Sequence, residues 1–155
     1  MNLDATDRKI LRILQQDARI SNLDLAAKIN LSPTPCARRV RRLEEMGCIM
    51  GSTVLLDPEV LGLNLTSYLA VAMERHTNEQ FEKFESQVVK FPEVVGCSVV
   101  TGRSEDYLLK VVARNMKHYE EFLLGRLSRL PGVTNLHSSF ELRNVIPNKG
   151  LPVDL

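Results

Sequence analysis

Four arginines fall within five positions, Arg38, Arg39, Arg41 and Arg42, directly after the segment LSPTPC at residues 31–36. A guanidinium is planar, permanently charged and carries a fork of N–H donors. It meets a phosphate as a charge and a guanine edge as a two-pronged donor. To present such groups to a duplex, the chain must hold them on one side of a short, rigid element. The spacing supplies one. Ser32 stands as an N-cap, and Pro33 suits the first helical position, where its missing N–H is not needed. With the helix opened there, Cys36, Val40 and Leu43 recur at i, i+4, i+7 as an apolar stripe. Thr34, Arg38, Arg41 and Arg42 lie on the opposite side. Gly47 is placed where a helix C-terminus favours glycine. Arg38, Arg41 and Arg42 are therefore the expected DNA contacts. Thr34 and Pro35 sit at the helix start, where reading helices meet bases, and Ser32 is within reach of a phosphate. Arg39 points to the flank of the stripe and is expected to form an intramolecular pair. The competing reading is a solvated basic face paired with Glu44, Glu45 or Asp24.

Other chemistries find little support. His76, His118 and His137 are scattered, Glu105-Asp106 is a lone carboxylate pair, and no glycine-rich phosphate loop is present. Cys36, Cys48 and Cys97 fit no zinc spacing and read as small buried residues in a reducing compartment. Neither an enzyme, a metal site nor a cofactor is expected. The 155 residues suffice for one ordinary domain or two small ones. Net charge is +1, but residues 1–50 carry nine Lys/Arg against six Asp/Glu, while residues 51–155 carry eleven against thirteen. The first third is thus the part suited to phosphates. No apolar run is long enough to span a membrane and the N-terminus lacks a signal-peptide core, so a soluble, cytoplasmic protein is expected.

The elements that must position these groups follow from periodicity. Asp4 with Asp7 resembles a capping box, followed by an apolar stripe of Ile10, Leu11, Ile13 and Leu14. Ser21 and Asp24 repeat the cap, and Leu23, Leu25, Ala26 and Ile29 form a second stripe. Asn30 can take the left-handed turn before the arginine helix, which is expected over 33–46. Two short helices with a tight turn, the second basic, make a helix-turn-helix. A short strand is expected over 48–55, then a linker. Beyond residue 64 the texture changes to strand 65–73, helix 78–91, strand 94–101, strand 106–113, helix 116–130 and strand 133–145. That order, βαββαβ, is ferredoxin-like, with both helices on one sheet face and the other face open to a second subunit. The fold class is α+β. Its domains are expected at 1–50 (helix-turn-helix), 51–63 (hinge strand and linker) and 64–155 (ferredoxin-like).

These segments together carry a family resemblance. LDATDRKIL, LQQDARISNLDLA and LSPTPCARRVRRLEEMGCI in the first part resemble the Lrp/AsnC transcriptional regulators. So do VTG, DYLLKV, Tyr119 with Phe122, and LPGV at 130–133 in the second. LSPTPC and DYLLK bring the chain nearer to the leucine-responsive branch. The resemblance implies a regulator of double-stranded DNA that responds to a free amino acid, leucine or methionine being favoured. It implies homodimers built through the open sheets and assembled into octamers. The effector would lie between dimers, held by the turn after the second strand of the ferredoxin-like domain. There Gly102 permits close approach of backbone, Arg103 and Ser104 suit the effector carboxylate, and Asp106 suits its ammonium. Val100, Tyr107 and Leu108 would line the pocket. Thr134, Leu136 and Ser138, alternating on the last strand, would contribute from a neighbour. The family shows two residues between this glycine and aspartate, whereas here Arg103, Ser104 and Glu105 intervene, making the turn one residue longer. The longer turn bears on how the backbone meets the effector, and it is the ground for the alternative function, an architectural nucleoid-type DNA binder with no effector.

Overall fold

A computed structural model describes residues 3–102, 104–147 and 149–154. The chain divides into two compact units, Met1–Leu55 with Val145–Leu155, and Leu56–Asn144.

The first unit is built on α1 (Ala5–Gln16), α2 (Asn22–Lys28) and α3 (Pro33–Glu45). Asp4 caps α1 in a complete capping box with Asp7, and Ser21 caps α2 by accepting from the Asp24 N–H. Asn30 adopts φ 57°, the left-handed turn expected of it, and the Leu31 N–H returns to the Ala26 carbonyl at 3.0 Å. Gly47, at φ 73°, lets the Cys48 N–H close α3 on the Leu43 carbonyl at 2.9 Å. Ile10, Leu25, Ala26, Ile29, Cys36 and Leu43 form the core. Leu23 does not join it and is 67% exposed. The strand expected over 48–55 does not form: residues 50–57 have no regular structure, and Met50, Val54, Leu55 and Leu56 are exposed. A strand exists only through hydrogen bonds to a neighbour.

The segment after residue 145 reaches back along α1. Gln15 binds the Leu151 backbone both ways, donating to its carbonyl at 3.0 Å and accepting from its N–H at 2.5 Å. Arg12 grips the Asp154 carboxylate with two nitrogens, each at 3.1 Å.

In the second unit, β1 (Leu65–Met73), α4 (Asn78–Val88), β2 (Val94–Val99), β3 (Tyr107–Ala113), α5 (Met116–Gly125) and β4 (Val133–Phe140) give the ferredoxin-like order, with a single 3-10 turn at Leu127–Arg129. The sheet is antiparallel throughout, in the order β2-β3-β1-β4. Leu69, Val71, Leu109 and Val111 face Phe84, Val88, Tyr119 and Phe122 from the helices. Each such buried side chain contributes about 1.5–3 kcal/mol over its exposed state. Tyr68, Leu108 and Lys110 alternate onto the other face, where the Lys110 ammonium lies 5.6 Å from the Tyr68 ring. The last strand stops at Phe140 rather than at 145, and the last helix gives way at Arg126 to the 3-10 turn.

Candidate DNA-reading face and effector turn

Helix α3 divides its arginines between two sides. Arg39 donates to Asp4 at 2.6 Å and to Asp7 at 2.8 Å, the intramolecular pairing expected of it. Arg42 also donates to Asp7, whose side chain is fully buried between α1 and α3. Arg42 is one of the expected DNA contacts, and this bond takes up part of it. One edge of its guanidinium is committed inward, because a buried carboxylate demands counter-charge. Asp4 shares the network: the Asp7 N–H first, and Arg39 next, hold its carboxyl below the usual carboxylate range. Arg38 and Arg41 are exposed and have no ion pair among the described residues. With Asn22, Pro33, Thr34 and Ala37 they line a shallow hollow of about 330 Å³. Asn22 fixes its floor by donating to the Pro33 carbonyl at 2.9 Å.

Ser32 occupies the N-cap position, but its hydroxyl makes no capping bond. A cap accepts from the second or third helical N–H, and the third position here is Pro35, which has none. Among the described residues the Ser32 hydroxyl has no hydrogen-bond partner; it stands beside exposed Thr34, and Pro35 is half-buried.

The second candidate site is the connection from β2 to β3. The Val100 N–H donates to the Asp106 carbonyl at 2.9 Å, and the Asp106 N–H donates to the Val71 carbonyl at 2.8 Å. The Asp106 carboxylate accepts from the Met73 N–H at 2.7 Å on one oxygen and meets His76 Nε2 at 2.7 Å on the other. Ser104 donates to Glu105 at 2.9 Å. Gly102 lies so that a Cβ there would stand 3.2 Å from a Glu105 carboxylate oxygen. Arg103 lies outside the described residues. Val100, Gly102, Ser104 and Asp106 thus gather at one end of the sheet. Thr134, whose hydroxyl donates to the Ala72 carbonyl at 3.1 Å, stands near the start of β4 at that same end.

Three expected pocket residues are placed otherwise. Tyr107 is fully buried, packed on Phe84 and Phe81, and donates to Glu85 at 2.8 Å. Burial, and then the Glu85 carboxylate, push its phenol well above the ordinary value. Leu136 packs on the helix-side core, and Ser138 bonds the Tyr119 hydroxyl at 2.7 Å. Period-two alternation sets Leu136 and Ser138 on one face, the face the helices cover, but a register shift between Ala72 and Met73 breaks the alternation at Thr134, which is exposed while Val133 packs on the core. Leu108 projects from the opposite face and is 39% exposed. Sequence reasoning misses Asp7 and His76. Asp7 shares the α1 stripe with Ile10 and Leu14 at i, i+3, i+7, a signal that it points inward. His76 carries no such signal, since its partner lies thirty residues away in sequence.

Among the described residues no cluster of His, Cys, Asp or Glu could hold a metal, and no helix is long and apolar enough to cross a membrane.

A helix-turn-helix unit with a basic second helix, joined to a four-stranded ferredoxin-like unit, defines a ligand-sensing DNA-binding protein as a class. Residues 3–50 match the model of a winged helix-turn-helix DNA-binding domain, and residues 66–151 that of the Lrp/AsnC ligand-binding domain. The chain belongs to the Lrp/AsnC family of transcriptional regulators. It is 38% identical over 152 residues to the DNA-binding transcriptional activator DecR of Escherichia coli (strain K12), covering 98% of this chain and 99% of that relative. It is 42% identical over 144 residues to the leucine-responsive regulatory protein of the same strain, covering 93% and 87%. A crystal structure of a transcriptional regulator from Neisseria meningitidis in complex with L-Met superposes with a TM-score of 0.93 at 37% identity, covering 99% and 98%. The chain is accordingly a DNA-binding regulator with an amino-acid-binding domain, not an enzyme.

Proposed function

We propose that this regulator reads operator DNA with Thr34, Arg38 and Arg41. Ser32, Pro35 and the outer edge of Arg42 stand at the margin of the contact. The observation that carries this is the pair of exposed arginines with no ion pair among the described residues, on the helix face beside Thr34. Electrophoretic or anisotropy titrations with operator DNA test it: Arg38→Ala/Arg41→Ala is expected to lose specific binding, and its retention would overturn the assignment. In a cytoplasmic homodimer, itself a unit of an octamer, two such helices would enter successive major grooves about one helical turn apart.

The effector reading is a free amino acid of the leucine and methionine class, lying between dimers against the turn that ends at Asp106. The relative crystallised with L-Met supports it. A thermal-shift screen against the twenty amino acids tests it, since a ligand at a hundredfold its Kd adds about 2.7 kcal/mol of stability. The alternative, an architectural DNA binder without effector, draws on one observation: both Asp106 oxygens already have partners within the chain. Absence of any shift in that screen would favour it.

A further inference from the structure

The two partners of Asp106 are not equivalent. The Met73 N–H belongs to the end of β1, so the bond it donates ties the turn to the sheet and cannot open without fraying a central strand. His76 lies three residues beyond that strand, with its side chain 69% exposed. Its Nε2 caps the remaining Asp106 oxygen at 2.7 Å, while the ring rests edge-on against Phe81, centroids 6.1 Å apart. The Asp106 carboxylate is itself only 15% exposed, and the bond to His76 is the one contact on its outer oxygen among the described residues. An α-ammonium approaching that oxygen needs the same lone pairs and the same space.

We infer that His76 is an intramolecular competitor for the ammonium seat on Asp106, and that an amino-acid effector binds by displacing it. This rests on the reading of the β2–β3 turn as the effector site. The imidazole supplies a single N–H to a carboxylate, whereas an ammonium supplies three donors and a full charge, so the exchange favours a charged amine and rejects a ligand lacking one. His76 thereby sets a threshold. Effector binding must overcome an existing bond, so affinity is lower than an open carboxylate would give, and the seat is never left as a bare charge. The His76 side of this bond lies largely in solvent, so the imidazole is released to water at little cost, which is what allows it to exchange.

Calorimetric titration of the full chain with L-Met and L-Leu, and with their des-amino analogues, tests the inference. His76→Ala is expected to bind the amino acid about three- to tenfold more tightly than the parent, from the size of an exposed pair and its charge-assisted bond. Affinity for the des-amino analogue should not move. His76→Gln, which keeps a donor, should fall between. Binding by His76→Ala where the parent shows none is the same result in its extreme form. Asp106→Asn, checked by its melting temperature for an intact sheet, should abolish binding in either background. If Asp106→Asn abolishes binding but His76→Ala binds no tighter, the competitor role is wrong and the seat stands. If Asp106→Asn binds as the parent does, or if neither parent nor His76→Ala binds any amino acid, the site reading fails and the inference falls with it.

Discussion

Arg42 donates to the buried carboxylate of Asp7, and by doing so turns half of a basic helix face into structure. Asp7 lies fully within the core and also holds Arg39 at 2.8 Å, so α1 and α3 are joined by one carboxylate between two guanidiniums. Removing one arginine leaves the other to neutralise the charge. Removing both leaves a buried carboxylate alone. Arg39→Ala/Arg42→Ala should therefore cost about 3–5 kcal/mol, more than the two single changes added together. Urea unfolding followed by circular dichroism measures it, and additive single effects would show that the pairs act independently.

Arg38 and Arg41 should behave in the opposite way. Exposed and without ion pairs among the described residues, each can be truncated with melting temperature nearly unchanged. DNA affinity should fall. For every phosphate that is no longer neutralised, the slope of log K against log salt should become shallower by about 0.9. An unchanged slope with altered base preference would mark that arginine as a base reader.

Glu93 sets an acid limit on the second unit. It is 7% exposed, accepts from Arg126 and stands 3.2 Å from His118 Nε2. Burial acts to raise its carboxyl, but the bond from Arg126, then that from its own backbone N–H and that from His118, together outweigh it and hold the group below its ordinary 4.5. A carboxylate depressed on folding stabilises above its unfolded value, and that contribution disappears as pH falls through the folded one. Glu93→Gln should thus melt lower than the parent at neutral pH, with the gap closing below about pH 4.5. A gap constant from neutral pH down into the acid range would show that packing, not charge, is responsible.

Asn30 at φ 57° is the pivot between α2 and α3. Asn30→Gly should be neutral within a few tenths of a kcal/mol, whereas Asn30→Val should cost about 1–2 kcal/mol or more, as the left-handed region penalises a Cβ and penalises branching most. Thermal melting of the two variants separates them.

Much of this architecture is written in local pattern. Strand β1 begins and ends where the strand-like segment from Leu65 to Met73 predicts, and Asn30 and Gly47 take the backbone conformations their residue types favour. What escapes is non-local, or depends on one competing residue. The Ser32 cap bond is missing, and Pro35 removes one of the two N–H groups that could have made it. The strand over 48–55 needs a neighbour the pattern cannot supply. Tyr107 stands beside the turn that the resemblance assigns to the effector, yet the sheet turns it into the core. Of the two candidate sites, the arginine face is legible as charge on a helix. The inward pairing of Arg39 is legible from its place at the flank of the stripe, but the bond from Arg42 is not, because Asp7 contributes from another helix. His76 at Asp106 is illegible for the same reason.

The clasp of Arg12 and Gln15 on residues 151–154 makes the first unit discontinuous. The chain leaves that unit at Leu55 and re-enters it at Val145, so the ferredoxin-like unit is topologically an insertion within the DNA-reading one. On the ribosome, α1 to α3 emerge before the inserted unit and can rest only on their own small core, with Asp7 and its arginines, while that unit is synthesised. The clasp is added only afterwards. A nascent or truncated chain ending before Leu151 therefore carries a recognition helix whose supporting scaffold is still unfinished.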